Sequence, residues 1–88
     1  MDSEKHTTGK YVLDLTREVW PWCLLKFKSH FDRMEAGHLI EVLLTDPDVI
    51  NSVDMMMRHL DGRIIRIEKK IDHCRVLIQR KVLPAERL

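Results

Sequence analysis

Cysteine is scarce in this chain of 88 residues: Cys23 and Cys74 stand alone, 51 positions apart. That spacing supplies no zinc signature, no CxxC redox pair and no disulfide framework. Three glycines leave no glycine-rich loop to cradle a phosphate. Charge of one sign is missing too. Fifteen Lys and Arg face fourteen Asp and Glu, a formal net charge of +1, without the basic excess that nucleic-acid binding demands. Apolar runs reach only about four residues, far from the ~20 of a bilayer-spanning helix. The opening MDSEKHTTGK is polar and has no apolar h-region. The five histidines form no HExxH or HxxxH spacing and no pairing with cysteine at ligand spacing, so neither metal nor cofactor is expected. What remains is 44% apolar and 33% charged residues, the composition of one small globular domain, with a cytoplasmic location expected.

Residues 1–10 read as a flexible arm, residues 11–81 as the domain, and residues 82–88 as a short tail. Tyr11 to Leu15 reads as a strand. A helix is predicted to begin near Pro21, since proline is accommodated where a helix N–H has no partner. It is expected to end at Gly37. Trp20, Leu24, Phe27, Phe31 and Met34 recur at spacings of four and three and predict its buried stripe. Cys23 falls about 40° from Phe27 on that wheel, at the stripe's edge, whereas Trp22 falls opposite and is expected to be exposed. His38 to Leu44 is an almost wholly apolar strand. Asp46 and Pro47 predict an N-cap and first helical residue, followed by a stripe of Val49, Val53, Met56 and Leu60 flanked by Ile50 and Met57. Arg63–Lys69 and Cys74–Arg80 close the chain as a hairpin through Lys70-Ile71-Asp72-His73.

The order β-α-β-α-β-β predicts an α+β two-layer sandwich: a four-stranded mixed sheet with both helices on one face. Leu13, Leu15, Ile40, Val42, Leu44, Ile65, Ile67, Val76 and Ile78 are expected to face the helices. Leu39, Leu43, Ile64 and Leu77, with Val12, are expected to form an apolar patch on the open face, a surface suited to a homodimer.

Leu13-Asp14-Leu15-Thr16-Arg17-Glu18-Val19-Trp20-Pro21-Trp22-Cys23-Leu24-Leu25-Lys26 resembles the LDxxGLxCPxPVLK opening of the TusA/SirA-like family of sulfur carriers. The register continues without a gap through Glu41-Val42-Leu43-Leu44-Thr45-Asp46-Pro47, then Val53 and Arg58, and ends on Val76-Leu77-Ile78-Gln79-Arg80-Lys81. The resemblance thus covers about residues 11–81. It implies the same fold, a role in sulfur trafficking or its regulation, and protein partners of the desulfurase or sulfurtransferase type. It also implies a persulfide on the cysteine of the CPxP motif. Here that position is Trp20, and an indole is no nucleophile toward sulfane sulfur. Pro21 keeps the first proline, and Cys23 occupies the second proline's place. The family's DIP-like segment reads Ser52-Val53-Asp54, and Met57 stands where a later cysteine is frequent.

Two functions follow. In one, Cys23 carries the sulfur, its thiolate favoured by the helix start and by Lys26 leaning back toward it. Its counterpart is a small buried hydrophobe. In the other, Trp20, Pro21 and Trp22 form a partner-binding knob, with Lys26 beside it. The chain then works by contact, or as a binding, scaffold or regulatory module that keeps only the fold. A core role for Trp20 and packing of Trp22 on the N-terminal arm are the plainer alternatives. Cys74, in phase with Val76 and Ile78, is expected in the core.

Overall fold

In a computed structural model the described residues are 10–82. Of the expected arm, 1–10, residues 1–9 lie outside them, as does most of the tail, 83–88, whereas Lys10 belongs to the first strand. The elements are β1 (Lys10–Asp14), α1 (Trp22–Asp32), β2 (Leu39–Leu44), α2 (Pro47–His59), β3 (Gly62–Lys69) and β4 (Cys74–Arg80). The sheet runs β1-β2-β4-β3, with β1 parallel to β2 and the other pairs antiparallel. The parallel pair needs a crossover, which α1 supplies. The antiparallel β3–β4 pair needs only the hairpin, closed by Lys70 N–H donating to the His73 carbonyl at 2.7 Å.

Alternation along the two central strands decides which face the helices cover. Ile40, Val42 and Leu44 pair with Ile78, Val76 and Cys74, and all six are buried. Leu13 and Leu15 join them from the β1 side, as do Cys23, Phe27, Phe31 and Met34 from the first helix and its exit, and Val49, Ile50, Val53 and Met57 from α2. Cys74 is therefore in the core, as its phase predicted. α2 begins as its sequence dictates: the Asp46 side chain accepts from Asp48 N–H at 2.9 Å, with Pro47 in the first turn. Met56 and Leu60 are partly buried at the border of the core.

The observed fold corrects three expectations. α1 ends at Asp32, with Arg33 as its C-cap, not at Gly37. Gly37 instead takes φ +87° in the turn into β2, a conformation that suits glycine. Trp20 is not part of the buried stripe. The helix begins only at Trp22, so helical periodicity does not reach back across Pro21, and Trp20 is 63% exposed.

The third correction concerns β3. Ile64 pairs with buried Ile78 and packs against the core, so it lies on the helix side and not in the open-face patch. A bulge between Ile64 and Arg66 shifts the phase. Ile65 is the extra residue and is exposed. Ile67 does share the face of its partner Val76, but it sits on an edge strand and remains exposed as well.

Gly62 fixes how closely α2 and the end of α1 approach β3. A Cβ there would meet Met57 Sδ and, at 2.6 Å, Phe31 Cζ. Gly62→Ala is expected to cost about 1–3 kcal/mol by overpacking, read as a lowered denaturant midpoint. An unchanged midpoint would contradict this account of the contact.

Candidate functional site

The site is built at the sheet end where β1 and β2 finish and both helices start. Asp14 accepts from Thr16 N–H at 2.9 Å and from Thr16 Oγ1 at 2.6 Å, turning the chain off β1. These bonds hold the Asp14 carboxyl below the usual carboxylate range. Leu15 N–H donates to the Leu43 carbonyl at 2.9 Å and anchors the connector to the sheet. Glu18 N–H then donates to the Leu15 carbonyl at 3.1 Å, folding the connector back on itself.

That turn carries Val19, Trp20 and Trp22 outward. They are 65%, 63% and 60% exposed, and Leu25, on the outer side of α1, is 55% exposed. Four large apolar side chains within seven consecutive positions therefore project around the start of one helix. The exposure of Trp22 follows the helical wheel. That of Trp20 and Val19 follows from the late helix start, and a sequence reading that extended the helix register to Trp20 missed it.

Cys23 lies among these residues but faces inward, 2% exposed. It borders a hollow of about 250 Å³ floored by Leu15, Leu44 and Val49 and flanked by Glu18, Trp20 and Asp46. The groups expected to favour a thiolate are engaged elsewhere. Cys23 N–H donates to the Val19 carbonyl at 3.0 Å, and the N–H groups of Leu24 and Leu25 both donate to the Pro21 carbonyl, at 3.0 and 3.2 Å. Lys26 Nζ lies 3.1 Å from Glu18 Oε2. The lysine thus pairs with a carboxylate. Pro21, at the N-cap, provides no side-chain cap.

The open sheet face differs from the expected apolar patch. Leu39, Leu43 and Leu77 are half-buried and Val12 is exposed. Between them sits Glu41, 3% exposed. Arg75 grips it with Nε to Oε2 at 3.0 Å and Nη2 to Oε1 at 2.9 Å, and Lys10 Nζ is 3.7 Å from Oε1. Nothing local in the sequence marks this pair, because residues 41 and 75 meet only through the β2–β4 register. The hydrogen bonds from Arg75, with the charge of Lys10 adding to them, hold the Glu41 carboxyl below its ordinary value.

The sign of the resulting pH dependence is fixed. A carboxyl more acidic in the folded chain adds stability above its unfolded pKa of roughly 4.3, and loses it as pH falls through the lower folded value. Glu41→Gln is expected to reduce the loss of stability in acid below about pH 4.3, leaving the contributions of Asp14 and Asp72, whose carboxyls are also held low. Denaturant midpoints at stepped pH check it, and an unaltered acid slope would contradict the assignment.

Among the described residues, no group of three His, Cys, Asp or Glu side chains is arranged to hold a metal ion. No helix among them is long and apolar enough to cross a membrane. No family model, no curated protein and no solved structure matches this chain.

Proposed function

We propose that this chain is a TusA/SirA-like module that acts in sulfur trafficking or its regulation by protein–protein contact. It docks through Val19, Trp20, Trp22 and Leu25 on a desulfurase- or sulfurtransferase-type protein. A cytoplasmic location belongs to the same proposal. The observation that carries the contact reading is the outward projection of these four side chains around an inward-facing Cys23. Tryptophan dominates binding hot spots because a large, rigid surface is desolvated at little entropic cost. The occupant is inferred from the resemblance. Where the family places its reactive cysteine, this chain places an indole, so the docking position is kept while its chemistry is exchanged for adhesion.

The hollow beside Cys23 favours a second reading, in which the Cys23 thiolate attacks a donor persulfide. The new S–S bond forms as the donor's sulfur–sulfur bond breaks and the donor thiolate leaves. The buried thiol and the paired Lys26 weigh against it.

The contact reading is tested by calorimetric titration of a cysteine desulfurase and of a rhodanese-like sulfurtransferase with this chain. Saturable binding to one of them is expected. Trp20→Ala combined with Trp22→Ala is expected to weaken it by about 100-fold or more, because each hot-spot tryptophan contributes on the order of 2 kcal/mol. Both side chains are mostly exposed, so the denaturation midpoint should not move. Binding to neither protein, or equal binding by the double variant, overturns the proposal.

A further inference from the structure

Among the described residues β3 is an edge strand with one neighbour, β4. It is eight residues long, and Ile65 and Ile67 are 44% and 42% exposed along it. Natural sheets blunt such edges with bulges, charges or a covering element. Here the bulge lies between Ile64 and Arg66 and a lysine, Lys69, ends the strand. Between these two devices runs Arg66-Ile67-Glu68, and its pattern is self-complementary.

Arg66 stands opposite Leu77 and Glu68 opposite Arg75, so both point to the open face, while Ile67 stands opposite Val76 on the helix side. Antiparallel pairing of β3 with another β3, about a two-fold through Ile67, keeps like faces together. It sets Arg66 against Glu68 of the second copy twice and Ile67 against itself. Moving the two-fold by one residue sets Arg66 against Arg66 or Glu68 against Glu68, which like charge disfavours. Within one chain Arg66 Nε already lies 3.8 Å from Glu68 Oε2, and both side chains are more than a third exposed. Both can re-pair across the edge without unmaking a buried contact.

We propose that the β3 edge is a homodimer interface, joining two four-stranded sheets into one of eight strands through the symmetric Arg66–Glu68 pairs around Ile67. This edge is separate from the helix-start knob and from the Leu39, Leu43 and Leu77 side chains of the open face, and does not depend on the sulfur-trafficking reading. The short paired segment makes the dimer reversible, in the class of small, transient interfaces.

Sedimentation velocity of the full chain from about 5 to 500 µM tests it. A concentration-dependent monomer–dimer equilibrium is expected. Arg66→Glu and Glu68→Arg each place like charges at both symmetric positions and should weaken self-association by about 10-fold or more. An equimolar mixture of the two variants should associate as a heterodimer at about the wild-type affinity, since both pairs are then of opposite charge, one as in the wild type and one with its sign reversed. Circular dichroism of each variant establishes that it is folded before mixing, and the conservative pair Arg66→Lys and Glu68→Asp, which keeps the charges, should still dimerise. A chain monomeric throughout the range overturns the proposal. So does a dimer indifferent to both charge reversals, or folded variants whose mixture stays monomeric.

Discussion

Phe27→Ala is expected to lower the unfolding free energy by about 3–5 kcal/mol, the range for truncating a fully buried phenylalanine. Phe27 is 0% exposed, packs 5.8 Å from Phe31 between ring centroids, and belongs to the one core cluster that joins α1, α2 and the sheet. Neighbours tied into two helices and three strands have little freedom to collapse into the space, which places the loss toward the upper part of that range. A domain of this size has on the order of 5–10 kcal/mol in total, so the variant should be substantially unfolded at mild denaturant concentrations. Leu25→Ala, two residues earlier on the same helix but exposed, should change stability by no more than about 0.5 kcal/mol. Urea titrations of the two variants read the contrast. Equal losses would mean that α1 is seated on a different face.

The second large effect concerns the thiols. Cys23 and Cys74 are both buried, so a thiol reagent must wait for the chain to open. Under native conditions both should be modified at less than about one-hundredth of their rate in denaturant, since core opening costs a large share of the global free energy. Cys23 reacting at its denatured rate in the folded chain would place its sulfur at the surface and would undo the distinction between an adhesive rim and an inert centre.

Much of this fold is legible in the sequence where the signal is local. Asp46 and Pro47 announce α2 because cap chemistry depends on a few adjacent residues. The alternation of Ile40, Val42 and Leu44 with their neighbours identifies the buried face because strand period is two. Long-range pairing is not legible in this way. Glu41 reads as an isolated charge in an apolar strand until the β2–β4 register brings Arg75 onto it. Ile64 and Ile65 exchange expected roles because the extra residue at the bulge puts Ile64 out of simple alternation with Ile67, which keeps its expected facing. Around the candidate site, Trp22 and Cys23 are placed by the helical wheel. Trp20 is misplaced because the apolar spacing runs on past the helix start that Pro21 marks, and the helix begins only at Trp22.

If the chain acts by contact, as proposed, it carries no sulfur. Intact-mass spectrometry after incubation with a cysteine desulfurase and cysteine, and separately with polysulfide, tests it most directly. Wild type, Cys23→Ser and Cys74→Ser are run side by side. No stable adduct is expected on any of the three while they remain folded. A reducible gain of about 32 Da, one sulfur atom, present in wild type and in Cys74→Ser but lost in Cys23→Ser, would contradict it and make Cys23 a relocated sulfur carrier.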